Sequence, residues 1–249
     1  MKQAMIFAAG LGTRLRPYTN DRPKALVEVQ GKPLLEHLIL RMQNEEVERI
    51  VLNVHHFAEK VMDFLQEHQN FGMDIRVSHE KEELLDTGGG LRKALPLIDV
   101  EQGVLLYNVD IACDFPLSEV DRVVADPSMR DAAAIVFTNK RTTARYLLFD
   151  DSMQLQGRMR IEADGTRSYQ TTHVTPHNLT PLAFTGIHYV SSLALKELAQ
   201  RPAGKFSILD FYLSLPAEYS VRTYTLPQQY RWLDCGKPET LQQASEILG

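Results

Sequence analysis

Residues 8–26, AAGLGTRLRPYTNDRPKAL, gather Arg14, Arg16, Arg22 and Lys24 beside two glycines, with Asp21 as the only acid among them. Gly10 and Gly12 can adopt positive φ and let the backbone approach a ligand closely. Successive backbone N–H groups in such a turn form a nest for an anion. Arg14 adds a planar fork of donors suited to phosphate oxygens. Pro23 fixes the backbone ahead of Lys24, whose ammonium is a point charge for a further phosphate. The chain as a whole has a net charge of -5. A basic cluster in an acidic chain points to a small anionic ligand rather than to nucleic acid, whose binders usually show an overall basic balance.

A second glycine segment, LDTGGGL (85–91), carries three consecutive glycines. Glycine destabilises helix and strand interiors, so this segment is expected to form a loop beneath a flat ligand, with LRKAL starting a helix after it. Backbone N–H and C=O groups would then be open to the edge of a base, with Asp86 and Thr87 as further polar contacts. Other candidate chemistry is weaker. His173-x₃-His177 encloses Val174, Thr175 and Pro176, which disfavour a helix, so its spacing does not argue for zinc. His55–His56 falls at a strand end and reads as a turn. Cys113 and Cys235 form no disulfide framework, fit a reducing compartment and behave as small buried hydrophobes. G-x-x-x-x-G-K-[ST] is absent, and the dinucleotide fingerprint G-x-G-x-x-G fails because Leu15 stands at its third glycine, which counts against a dehydrogenase.

These segments need elements to hold them. Ala4–Ala9 is a short apolar run ended by Gly10 and reads as a buried strand. Pro33 opens a helix in which Leu34, Leu35, Leu38, Ile39 and Met42 recur at helical spacing. Strands follow at 48–54, 73–79 and 103–110, with a helix at 57–68 between the first two. Such alternation predicts crossover units and a doubly wound, mostly parallel sheet, with ligands at the carboxyl ends of its strands. Gly10–Lys24 and Asp110 both fall at such ends. The second half is less regular. AAAIVFT (132–138) continues the sheet, while 139–190 and 219–234 read as an elaboration that walls a second binding pocket. Helices are expected in SLALKELAQ and SILDFYLSL, and a last helix after residue 234. No internal repeat appears, and no hexapeptide series follows residue 234, so no β-helix tail is expected.

Length and composition fit this picture. The 249 residues, 44% hydrophobic and 24% charged, are ordinary for a globular α/β domain. No stretch approaches the roughly 18 apolar residues of a membrane span, and MKQAMIFAAG is too short an apolar run for a signal peptide. The expectation is a cytoplasmic protein with no nucleic-acid and no membrane partner. Homo-oligomerisation stays open.

The segment AAGLGTRLRPYTNDRPKALVEVQGKPLLEH resembles the opening signature of the sugar-1-phosphate nucleotidyltransferases, AAG-x-G-T-R-L-x-P-x-T with a downstream P-K. The likeness continues in order through LLDTGGGLRKAL (84–95), LLYNVD (105–110), FTGIHYVS (184–191), FSILDFYL (206–213) and RWLDCGKPE (231–239), over nearly the whole chain. The triple glycine resembles the branch with N-acetylmuramate-1-phosphate uridylyltransferases and mannose-1-phosphate guanylyltransferase-like proteins, and the uridylyltransferase side is favoured.

The resemblance implies a single domain over 1–249 of nucleotide-diphospho-sugar transferase type, a Rossmann-like mixed sheet. Residues 1–138 would mainly bind nucleotide, 139–234 mainly sugar phosphate, and 235–249 would form the C-terminal helix. The implied reaction is NTP plus sugar 1-phosphate giving NDP-sugar and pyrophosphate, with Mg²⁺ as cofactor. Gly10, Leu11, Gly12, Thr13 and Arg14 would wrap the triphosphate, with Arg14 on the leaving pyrophosphate and Lys24 on the α-phosphate. Ala8, Ala9, Asp86, Gly88 and Gly89 would read base and ribose. Asp110 and Asp234, each ending an apolar segment, would hold the metal, which takes one or two carboxylates plus phosphate oxygens. Asn108, Tyr146, Thr185 and Gly186 would contact the sugar. A sugar phosphate with its second pKa near 6 is largely dianionic at neutral pH and needs no general base. That agrees with the lack of any Ser/His/Asp or Cys/His arrangement. Lys24→Ala is expected to leave folding intact while suppressing pyrophosphate release.

The chain departs from the family pattern twice. Asn108-Val109-Asp110 replaces the common N-G-D, and no E-K-P stands between 150 and 180. A glycosyltransferase would hold metal through D-x-D, whereas DIACD spaces Asp110 and Asp114 differently. A nucleotide-binding regulatory homologue without turnover would not require Arg14, Lys24, Asp110 and Asp234 together.

Overall fold

The computed structural model of the protein describes residues 1–172 and 178–248; His173 and His177 lie outside the described residues. The first half runs β1 (Gln3–Phe7), the short hairpin β2 (Glu28–Val29) and β3 (Lys32–Pro33), α1 (Leu34–Asn44), β4 (Arg49–Val54), α2 (Ala58–Glu67), β5 (Asp74–His79), α3 (Asp86–Ala94), β6 (Val104–Asn108), β7 (Ile111–Cys113), α4 (Leu117–Ala125) and β8 (Ala132–Asn139). The second half runs β9 (Arg145–Phe149), β10 (Leu155–Ile161), β11 (Arg167–Thr171), β12 (Thr180–Val190), α5 (Ser192–Gln200), α6 (Ile208–Leu213), β13 (Ser220–Thr225), β14 (Trp232–Asp234) and α7 (Pro238–Leu248).

The path β11-β10-β9-β12-β6-β1-β4-β5 forms one large sheet, with β8 paired to both β12 and β13. Its centre is parallel: β1 lies between β4 and β6, and β4 pairs β5. Of the added strands, β12 runs antiparallel to β6, β8 and β9 and β10 antiparallel to β9 and β11, while β13 runs parallel to β8. The fold is therefore a mixed, doubly wound α/β sheet.

The double winding is written into β1. Every residue of this strand is buried, as expected of a parallel strand covered on both faces. Alternate side chains enter different cores. Ala4 and Ile6 pack with α1, α2 and α4 through residues such as Leu35, Ile39, Val61 and Val120. Met5 and Phe7 pack with α3, α5 and α6 through Leu91, Leu195, Leu198 and Phe211. A third, smaller core joins Leu15, Val27 and Leu34 to Ala112 of β7, Cys235, and Leu241 and Ala244 of α7. That core fastens the two ends of the chain together beneath the strand ends. Among the described residues no helix is long and apolar enough to cross a membrane.

One expected element is different. Residues 85–91 do not form a loop, because α3 begins at Asp86 and contains Gly88, Gly89 and Gly90, all buried. Glycine's intrinsic helix penalty, about 1 kcal/mol per residue, is overridden by close packing. A Cβ at Gly88 would fall 2.4 Å from Phe206 Cδ2, one at Gly89 2.2 Å from the Gly204 carbonyl, and one at Gly90 2.8 Å from Glu80 Oε1.

Candidate active site

The turn after β1 is shaped by Gly12, at φ 63° and ψ 22°, which caps a short 3₁₀ turn over Thr13–Leu15. An L side chain is rarely found there, and a Cβ would also press on Thr19 Cγ2 at 3.0 Å and Lys24 Cβ at 3.1 Å. The Thr19 hydroxyl donates to Gly12 O at 2.8 Å, and Leu15 N donates to the same carbonyl at 2.9 Å. Leu15 anchors the turn in the third core, leaving Gly10, Leu11, Thr13 and Arg14 exposed above it. Ala8 and Ala9 are buried at the start of the turn. Ala8 N donates to Asn53 Oδ1 at 2.9 Å. Asn53 Nδ2 donates in turn to Glu80 Oε1 at 2.7 Å, and Leu85 N donates to Glu80 Oε2 at 2.8 Å. This buried chain of bonds ties the end of β1 to the start of α3.

Lys24 begins a second 3₁₀ turn and runs beneath the glycines; a Cβ at Gly10 would stand 3.6 Å from its Nζ. Its ammonium pairs with Asp110 Oδ2 at 2.9 Å, with side chains 15% and 7% exposed. Arg14 Nη1 lies 3.5 Å from Asp234 Oδ2 in a more open pair, 57% and 39% exposed. Asp234 ends β14, which pairs antiparallel with β7 so that Asp234 faces Ile111, and Cys235 N donates to Asp110 O at 2.7 Å. Two acids far apart in sequence are thus joined by backbone at one sheet end, each facing a cation of the glycine turn. Gly236 completes the arrangement. Its N–H donates to Asp234 Oδ1 at 2.8 Å, and a Cβ there would meet Arg14 Nη2 at 2.6 Å.

Asp110 and Asp234 offer hard oxygen donors, and no group of three or more His, Cys, Asp or Glu that could hold a metal exists among the described residues. Two carboxylates without nitrogen or sulfur ligands suit Mg²⁺, which fills the rest of its shell with water and phosphate. Asp114, the second acid of DIACD, is committed elsewhere, receiving Arg231 N at 2.6 Å and Nε at 2.7 Å. The cysteines are buried and free; burial pushes the Cys113 thiol up and the Cys235 thiol up to about 12. Both side chains sit in the apolar interior, Cys113 in the core under α1 and α4 and Cys235 in the small core with Leu15 and Leu241. Arg22 is held by Asp21 at 3.1 Å, while Arg16 is exposed.

At the start of α3, Asp86 is exposed at φ 61°, and Thr87 Oγ1 accepts from Ile208 N at 3.0 Å. The amides of Gly88 and Gly89 donate to Phe206 O at 2.9 and 3.1 Å. Those two N–H groups are engaged inside the fold, and the Phe206 ring fills the space over Gly88. The expectation of open glycine amides beneath a base is corrected accordingly; Asp86 and Thr87 form the accessible edge. A cleft of ≈ 350 Å³ borders α3, lined by residues including Glu83, Arg92, Lys93 and Gly204, and shares no residue with the two ion pairs.

The wall toward the second half is built on a break in β12. Pairing with β8 shifts register between Phe184 and His188, where Gly186 sits at φ +82 and a Cβ would clash with Asn108 Nδ2 at 2.8 Å. Asn108 and Gly186 are thereby brought into contact. Thr185 is fully buried, and its hydroxyl donates to Phe137 O at 2.7 Å, so its side chain serves the sheet. Tyr146 OH accepts from Thr143 N at 3.0 Å. Sequence reasoning missed Arg141. Its guanidinium lies over the Trp232 ring, 3.9 Å from the centroid, in the neighbourhood of Asp234 and Tyr146. His188, by contrast, is a core residue: its Nδ1 is 2.6 Å from Tyr212 OH, and burial lowers its pKa to about 3.

A profile of the nucleotidyl transferase family matches residues 3–150. N-acetylmuramate alpha-1-phosphate uridylyltransferase of Caulobacter vibrioides is 35% identical over 96% of this chain and 93% of its own. The mannose-1-phosphate guanylyltransferase catalytic subunit beta of Danio rerio is 28% identical over 95% of this chain, which spans 62% of that relative. Among solved structures, HddC from Yersinia pseudotuberculosis superposes with a TM-score of 0.77 at 22% identity, with all of both chains covered.

Proposed function

The chain belongs to the nucleotidyl transferase family and is a sugar-1-phosphate nucleotidyltransferase, and from that premise we propose that it transfers a uridylyl group from UTP to N-acetylmuramate α-1-phosphate or a closely related sugar 1-phosphate. The nucleotide and sugar come from the uridylyltransferase that aligns along nearly the whole chain. The observation that carries the chemistry is the pair of ion pairs, Lys24–Asp110 and Arg14–Asp234, at one sheet end under the glycine turn.

An oxygen of the sugar phosphate attacks the α-phosphorus in line, the new P–O bond forms, and the bond to the β-phosphate breaks to release pyrophosphate. Both reactants are anions, so repulsion is the first obstacle. The Gly10–Arg14 turn approaches the triphosphate with its backbone. Lys24 turns from Asp110 to the α-phosphate, and Arg14 turns from Asp234 to the leaving pyrophosphate. Asp110 and Asp234 would then be free to hold Mg²⁺, which would supply charge neutralisation at the reacting phosphate. The cations and acids of the site thus exchange partners, each turning from the other to an ion or phosphate of opposite charge. Positioning and charge stabilisation carry the rate, and no general base is required.

The test is pyrophosphate release with each NTP, Mg²⁺, and N-acetylmuramate, mannose or glucose 1-phosphate. Release with UTP and N-acetylmuramate 1-phosphate supports the proposal. Release with GTP and mannose 1-phosphate moves it to the guanylyl side, and nucleotide binding without release from any pair refutes turnover. Lys24→Ala lowers the rate by on the order of 10²–10³, by analogy with lost oxyanion donors. Because Asp110 is buried against Lys24, this variant also loses stability, by roughly 3–5 kcal/mol as for one partner removed from a buried pair, so the expectation from sequence that folding is untouched is revised. The rate is therefore read on protein shown to be folded by circular dichroism.

A further inference from the structure

Arg14, Lys24 and Arg231 each face a carboxylate. Arg141 does not. Its Nη1 donates to Asn139 Oδ1 at 2.7 Å and its Nη2 to Phe184 O at 2.7 Å. Its Cζ stands 3.9 Å from the centroid of Trp232. Trp232 is itself fixed, donating from Nε1 to Thr185 O at 2.9 Å and pairing through β14 with β7. Contacts from β8, β12 and β14 therefore set one orientation for the guanidinium, and all are to neutral groups. Among the described residues it forms no salt bridge within 4.0 Å.

A guanidinium has five N–H donors, so several of Arg141's remain unused and rigidly aimed. A partly buried cation without a matching anion is an unfavourable arrangement unless a ligand completes it. Burial lowers the pKa of Arg141, while Asp234 and Tyr146 act to raise it. Trp232, on which the guanidinium lies, stands two residues before Asp234 in β14, so Arg141 is packed on the strand that carries this acid. The triphosphate has its own cations in the glycine turn, and the other anion of the reaction is the phosphate of the acceptor sugar.

We propose that Arg141, held by Asn139, Phe184 and Trp232, binds the 1-phosphate of the acceptor sugar and aims its attacking oxygen. The inference rests on the transferase reading above and adds a binding residue to it. Trp232 is the only tryptophan of the chain, so an anion settling on its stacked partner changes the environment of a unique fluorophore.

The experiment pairs fluorescence with kinetics. Titrating the wild-type protein with N-acetylmuramate α-1-phosphate, mannose 1-phosphate and glucose 1-phosphate is expected to shift Trp232 emission for at least one of them. The same sugar without its phosphate leaves the emission unchanged. Arg141→Gln abolishes the shift and raises KM for the sugar 1-phosphate on the order of 30-fold or more, as for truncation of a buried charge-paired contact. Its KM for UTP stays within about twofold, because the triphosphate lies on other cations. Arg141→Lys keeps the charge but not the fork, and recovers part of the loss; it also decides the matter if Arg141→Gln fails to fold. Three results overturn the assignment: no emission change with any of the three phosphates, an equal change with the unphosphorylated sugar, or a rise in KM for UTP while KM for the sugar phosphate stays put. A wild type that releases no pyrophosphate from any pair defeats the transferase proposal, and the titration still decides Arg141.

Discussion

Around Gly12 the chain is a surface turn with φ 63° and neighbours at 3.0 Å or more, whereas around Gly89 it is a buried helix with a backbone carbonyl 2.2 Å from where a Cβ would stand. The first glycine is required by a torsion angle and the second by a volume. In the turn, a Cβ at Gly12 would press on Thr19 and Lys24, while at Gly10, two residues earlier, it would meet only the end of Lys24, at 3.6 Å. In α3, the corresponding room is already taken by Phe206, Gly204 and Glu80. The surrounding charges differ in the same sense. Arg14 and Lys24 stand at the turn with carboxylates that can be exchanged for phosphate, while the amides at Gly88 and Gly89 are closed off by Phe206 O. A run of glycines therefore reports a close approach without saying whether ligand or protein makes it.

Substitution by alanine breaks or sharpens this contrast. The largest effect is expected at Gly89→Ala. The Gly204 carbonyl is backbone and cannot rotate away, so overpacking outweighs the gain in helix propensity and stability falls by roughly 2–3 kcal/mol. The urea unfolding midpoint measures it, and a midpoint equal to wild type would remove the packing account of α3. Gly12→Ala follows. Left-handed backbone costs an L residue roughly 1–2 kcal/mol, and the displaced turn raises KM for UTP well beyond what the stability loss explains. Gly10→Ala is the mildest. Its Cβ makes only ordinary contact, 3.6 Å from Lys24 Nζ, so stability changes by less than about 0.5 kcal/mol. KM for UTP nonetheless rises, since the methyl group stands where phosphate oxygens would meet the ammonium. An unchanged KM would show that the triphosphate does not cross Gly10.

Much of the fold is legible along the chain. The apolar run before Gly10, the alternating helices and strands, and the placement of Lys24 and Asp110 at strand ends all follow from local pattern. Asp234 is marked in the sequence as the end of an apolar segment, and β14 carries it to the side of β7 beside Asp110. Gly88–Gly90 read as a loop from propensity alone, because the partners that override it, Phe206, Gly204 and Glu80, lie far off in the chain or in another element. Thr185 stood in a promising segment, yet its hydroxyl closes a bond within the sheet. Arg141 gave no signal in the sequence: one arginine in a polar stretch acquires meaning only when Trp232 is folded beneath it.

Taken alone, the order of residues determined the sheet-and-helix alternation, the left-handed turn and the local concentration of cations, because each depends on neighbours within a few positions. Only the folded chain decided which acid Arg14 and Lys24 meet, which glycines are filled by a neighbour, and that Arg141 is fixed on Trp232 by neutral groups. Those outcomes depend on contacts such as Arg14 with Asp234 and Gly89 with Gly204, between segments that come together through packing and not through sequence proximity.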